Sequence, residues 1–178
     1  YTILFVGSVN VYKRQDSTIQ WLTANAFRFD DISSLHIAQL SSGRSVLDHA
    51  GHNDGVQLDI RYADGLGGYS EALGGHNGLG ILALLKSARS EVDLPVMTPR
   101  PQIAAAVAWV KANRDMAEQA ASSASSIFMG AGWMRLALQE GQFPDGTPMP
   151  GLSRWETKPG SVRYLPAHQH HWHIALKL

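Results

Sequence analysis

Two short stretches far apart in the chain carry the residue types of a metal site. The first is His52-Asn53-Asp54-Gly55-Val56-Gln57-Leu58-Asp59. The second is His168-Gln169-His170-His171-Trp172-His173. Together they offer imidazoles and a carboxylate for a metal, with a spare histidine beside them. Zn²⁺ takes such nitrogen and oxygen donors tetrahedrally, and a catalytic zinc site leaves its fourth position to water, which points to a hydrolase. The chain has no cysteine, so any metal here must use histidines and carboxylates. Gly55 lets the backbone turn sharply between His52 and Asp59, because glycine tolerates angles that other residues resist. His171 and His173 need no turn. Residues two apart on a strand point to one face at a spacing of roughly 7 Å, so one can bind metal while the other faces substrate. A single histidine pair more often decorates a surface or a core. Here six of the eight histidines fall in two clusters, which favours the metal. A purification tag is a poor rival, because Trp172 interrupts the run and apolar strand residues follow it.

The elements that must position these residues follow from hydrophobic pattern. Thr2 to Val11 is apolar and β-branched and predicts a strand; Thr18 to Phe27 predicts a short helix capped by Ser17 or Thr18. Leu35 to Leu40 reads as a strand that ends at Ser41-Ser42-Gly43. Ser45 to Gly55 reads as the loop that carries His49 and His52. In the strand Val56 to Tyr62, alternation puts Val56, Leu58 and Ile60 on one face and Gln57, Asp59 and Arg61 on the other. Gly65 to Gly80 is glycine-rich but lacks the Gly-Lys-Ser/Thr ending of a phosphate loop, and reads as a flexible loop on the substrate side. Ile81 to Ala88 predicts a short helix. After Pro95, Pro99 and Pro101 comes the longest helix, Gln102 to about Ala121, with Ile103, Ala106, Val107, Val110 and Met116 near one face. Ser125 to Met129 predicts a strand and Trp133 to Gln139 a helix. Phe143 to Pro166 is rich in proline and glycine and predicts a long surface loop. His171 to Leu176 closes the chain as a strand. Helices and strands mix without regular βαβ alternation. The expected class is α+β, a mainly antiparallel sheet carrying the zinc site and flanked by helices and long loops.

The 178 residues fit a single catalytic domain spanning 1–178. Fifteen basic residues balance fifteen acidic ones, and no charge run marks a nucleic-acid partner. No apolar stretch is long enough to span a bilayer. The absence of cysteine leaves the compartment open. Tyr1 stands where an initiator methionine would, so the chain reads as a mature or excised domain.

His52-x-x-Gly55-x-x-x-Asp59 followed by His171-x-His173 resembles the zinc peptidase superfamily of lysostaphin, the D-alanyl-D-alanine metallopeptidases and the hedgehog signalling domain. The nearest branch is penicillin-insensitive murein endopeptidase. That branch has a histidine three before its first ligand, matched by His49, and one five before its last ligand, matched by His168. Its strand–helix segment before the last motif is similar to Ser126 through Leu138. The likeness covers about thirty residues well and Leu35 to Leu178 diffusely; residues 1–30 and the loop from Gly65 to Pro99 are not clearly covered. It implies that His52, Asp59 and His173 hold one Zn²⁺ per chain; a second metal, with His76 as its candidate contact, stays an open alternative. It implies that His171 is the catalytic histidine and that His49 and His168 line the site. A related dipeptidase branch has Glu where this chain has His170. That departure argues against dipeptidase activity and leaves the working base open between His170 and His171.

The remaining candidates are weighed singly. Arg44 stands where some relatives place an arginine that polarises the scissile carbonyl; a solvated loop arginine explains it equally well. His76 reads first as a surface residue and His36 as structural. Trp172 falls on the strand face opposite the two motif histidines, which puts it in the core. Trp155 and Tyr164 are candidates for a groove wall, though loop anchoring is the commoner role. Asp48 and Asp54 are candidate partners for a histidine ring. The resemblance implies hydrolysis of peptidoglycan stem peptides, at the D-Ala–meso-diaminopimelate cross-link, in a periplasmic or extracellular setting. The same chemistry would serve a D,D-carboxypeptidase or an L,D-type endopeptidase of a phage or secreted toxin. A non-catalytic, hedgehog-like zinc domain is the alternative of another class.

Overall fold

In His171–Leu176 every second residue is large and apolar, Trp172, Ile174 and Leu176, and the residues between are His171, His173 and Ala175. A strand with this pattern turns its large apolar residues to one face and the two histidines to the other. The computed structural model, which describes residues 20, 21, 24, 29–32, 57–63, 78–90, 101–169 and 171–177, makes this strand the centre of the sheet. The described strands are β1 (Phe29–Ile32), β2 (Gln57–Arg61), β3 (Ala124–Met129), β4 (Val162–Tyr164) and β5 (His171–Leu176). Their order across the sheet is β1-β2-β5-β3-β4. The β1–β2, β2–β5 and β3–β5 pairs are antiparallel, and β3–β4 is parallel. The fold is therefore α+β with a mixed, mostly antiparallel sheet flanked by helices.

Two long helices are described, α1 (Gly78–Ser90) and α2 (Pro101–Ala121). A shorter one, α3 (Trp133–Arg135), runs directly into a π-helical turn, Leu136–Glu140. On α2 the buried residues Ile103, Ala106, Trp109, Val110, Asn113, Ala117 and Ala120 recur at three and four positions, one helical face turned inward. On α1 the buried row is Ile81, Leu85 and Ala88. These rows join Ile60, Ile127, Met129, Trp172, Ile174 and Leu176 in one core on the helix side of the sheet. Each large apolar side chain buried there stabilises the fold by roughly 1.5–3 kcal/mol.

Two polar devices tie the rest of the chain to α2. Asn113, fully buried on α2, accepts from the Ala63 N–H at 3.0 Å and donates to the carbonyls of Ala63 and Trp109, each at 2.8 Å. The chain leaving β2 is thus clamped to α2. The segment from Gly141 to Ser161 folds back on the same helix. Arg114 donates to the carbonyls of Leu138 at 2.8 Å and Ser153 at 2.9 Å, with its guanidinium 5.7 Å from the Trp155 ring centre. Burial lowers the Arg114 pKa from its ordinary value, partly offset by the Tyr164, Glu118 and Glu140 side chains. Gly141 closes the π-helical turn at φ 65°, a left-handed conformation that suits glycine.

Several expectations change at this level. The helix predicted from Ile81 begins at Gly78. The predicted helix Trp133 to Gln139 is α-helical only to Arg135. The segment Phe143 to Pro166 is not loop throughout, because Val162–Tyr164 pairs with β3 as an edge strand. Phe29–Ile32 is a strand that hydrophobic pattern did not predict. The predicted strands Thr2 to Val11 and Leu35 to Leu40 lie outside the described residues. Of the helix predicted for Thr18 to Phe27, residues 20, 21 and 24 are described and are helical.

Candidate metal centre

The register of β2 against β5 does what no local pattern can. It sets Asp59 directly opposite His173 and Arg61 opposite His171. Directly opposite side chains on one face stand close enough to touch, and diagonal neighbours remain within reach of longer ones. Accordingly, Asp59 Oδ1 lies 3.0 Å from His173 Nδ1 and 3.4 Å from His171 Nε2. On the other diagonal, Gln57 Oε1 lies 2.9 Å from His173 Nε2. β3 extends the row: Phe128 pairs with His173, and their ring centres are 5.8 Å apart.

His168 joins from outside the sheet. It ends a one-turn 3-10 helix, Pro166–His168, just before β5. Its ring centre is 5.6 Å from those of His171, His173 and Phe128. Two features bring this turn in. The Tyr62 hydroxyl donates to the His168 carbonyl and accepts from the Gly130 N–H at 3.2 Å. Burial raises the Tyr62 pKa far above its ordinary value, so the hydroxyl stays protonated and can donate. Gly130 also leaves room: a Cβ there would collide with Met134 Sδ and lie 3.1 Å from the His168 carbonyl oxygen.

Asp59 is 4% exposed and His173 7%. Burying a carboxylate is costly unless charge or hydrogen bonds compensate it, and here two imidazoles face it. The contacts of His173 are more specific. Both its ring nitrogens face oxygens, Asp59 Oδ1 and Gln57 Oε1. A neutral imidazole has one N–H and one lone pair. With the Nε2–H given to Gln57 Oε1, the Nδ1 lone pair lies on the side of the Asp59 carboxylate, where both could donate to one cation. The spacing suits a metal: two donors on a tetrahedral zinc, each ~2.0–2.1 Å from it, stand roughly 3.3 Å apart. The pair of Asp59 and His173 fits that donor geometry with a small relaxation.

Asp59, His171, His173 and His168 therefore meet. His52, His49, Arg44 and His170 lie outside the described residues, as do Asp48, Asp54, His36 and His76. Among the described residues no group of three His, Asp or Glu converges on one metal position. Trp172 is fully buried in the core, on the face opposite the histidines. Trp155 is an anchor and no groove wall: it is 4% exposed, and its Nε1 donates to Glu118 on α2 at 2.7 Å. Tyr164, at the end of β4, is held partly buried with its pKa raised by that burial. Sequence reasoning did not single out three contributors, Gln57, Tyr62 and Phe128. Gln57 had a usable signal, since it shares a strand face with Asp59 two positions on.

No family model, curated protein or solved structure matches this chain.

Proposed function

We propose that the chain is a zinc-dependent peptidase that cleaves peptidoglycan stem peptides, with the D-Ala–meso-diaminopimelate cross-link as its bond. The observation that carries this reading is the Asp59–His173 pair, buried and facing across β2 and β5 with His171 beside it on the same face. Asp59 and His173 would hold the metal together with His52. A zinc ion bound there supplies Lewis acidity, activating water and polarising an amide carbonyl. His171, 3.4 Å from the Asp59 carboxylate, would take a proton from the attacking water and return one to the leaving amine. His168 and Phe128 adjoin these residues, His49 is the other lining residue that the resemblance implies, and Arg44 and His170 are further catalytic candidates.

Among the described residues no helix is long and apolar enough to cross a membrane, which is compatible with the periplasmic or extracellular placement such a substrate requires. The second reading is a hedgehog-like domain that keeps the zinc and binds without cleaving. Incubating purified sacculi with the protein, with and without chelator, separates the two. Soluble muropeptides identified by mass spectrometry are the expected result. Zinc-loaded protein that releases none would favour the binding domain.

A further inference from the structure

We propose that Gln57 is a positioning residue that determines which nitrogen of His173 is offered to the metal. The inference rests on the zinc reading above and goes beyond it, to a residue outside the ligand motif. A histidine ligand binds metal through one ring nitrogen, and the hydrogen bond made by the other fixes its tautomer and ring orientation. His173 has Nδ1 toward Asp59 Oδ1 at 3.0 Å and Nε2 toward Gln57 Oε1 at 2.9 Å. The amide oxygen of Gln57 accepts the Nε2–H. The proton is then held on Nε2, and the Nδ1 lone pair is aimed at the position shared with the Asp59 carboxylate.

Strand register makes this a built arrangement. Gln57 stands opposite Ala175, whose small side chain leaves the diagonal from Gln57 to His173 open. The face of β2 that supplies the metal carboxylate at Asp59 supplies the tautomer-setting oxygen two residues earlier. Phe128, paired with His173 from β3, backs the ring from the other side. An amide in this role leaves the site one negative charge poorer than a carboxylate would. A carboxylate accepting the same N–H makes the ligand nitrogen more basic, so Gln57 sets both the geometry and the strength of the His173–metal bond.

The test uses the full chain and three proteins: parent, Gln57→Leu and Gln57→Glu. Zinc affinity is measured by competition with a chromophoric chelator. Removing such a partner typically costs 10–100-fold in metal affinity. Gln57→Leu is expected to bind zinc about that much more weakly, and Gln57→Glu as tightly as the parent or more so. Long-range nitrogen–proton NMR spectra of the zinc-loaded parent are expected to show His173 as the Nε2–H tautomer. That readout needs no variant to fold. Parent-like affinity in Gln57→Leu, or an Nδ1–H tautomer in the parent, would overturn the role given to Gln57 and leave the zinc reading standing. A parent that binds no zinc would overturn both.

Discussion

Asp59 is the side chain that both strand histidines of the candidate site face. It is buried, it faces His173 at 3.0 Å, and it stands 3.4 Å from His171. Its two histidine neighbours have different expected roles, and substitution separates them. Protein purified without chelator is expected to carry close to one zinc per chain by elemental analysis. Asp59→Ala and His173→Ala each remove a donor from a three-ligand set and are expected to lose most of that zinc. Retention of zinc by both variants would refute the ligand assignment. His171→Ala is expected to keep its zinc and lose turnover by about a hundredfold or more, the scale of a general acid–base group. Loss of zinc in that variant would make His171 a ligand. Unchanged turnover would move the proton to His170.

The elements around the site hold it by polar clamps as well as by apolar packing. Asn113 satisfies both backbone groups of Ala63 from inside α2. Asn113→Ala would leave them buried without this partner, and an unsatisfied buried group costs about 1–3 kcal/mol. Urea unfolding is expected to show a loss of about 2–4 kcal/mol; a change under half a kcal/mol would mean that the clamp is dispensable. Tyr62→Phe removes the bridge from Gly130 to the His168 carbonyl. Its expected cost is smaller, about 1–2 kcal/mol, with reduced turnover because the His168 turn loses its tie to the sheet. The sequence announces α2, β3 and β5 through apolar residues recurring at the helical or strand period, and the faces of β2 through strict alternation. It conceals β1, where Phe29-Asp30-Asp31-Ile32 puts two strand-averse acids in four residues. It conceals β4 as well, three residues in a proline- and glycine-rich stretch that become a strand only by pairing with β3. The start of α1 is masked by Gly78 and Gly80, since glycine is a poor helix former.

At the scale of the whole molecule, the candidate site joins residues more than a hundred positions apart. Asp59 and His173 are separated by 114 residues, so no local pattern could pair them; motif resemblance predicted the meeting, and the β2–β5 register brings it about. Alternation put Gln57 on the face of Asp59, but its contact with His173 is a diagonal one, defined only once register is known. The architecture leaves one sheet face for the core and places His171, His173, Asp59 and Phe128 on the other. An enzyme that cuts cross-links must accept peptide on both sides of the scissile bond. One that trims a terminus needs a cation to hold the terminal carboxylate. Chromatography of purified cross-linked muropeptide dimers incubated with the zinc-loaded protein tests the central claim most directly. Conversion of dimers to monomers, abolished by chelator and by Asp59→Ala, is the predicted result. Dimers left intact while free D-alanine is released from pentapeptide monomers would contradict it and make the protein a carboxypeptidase.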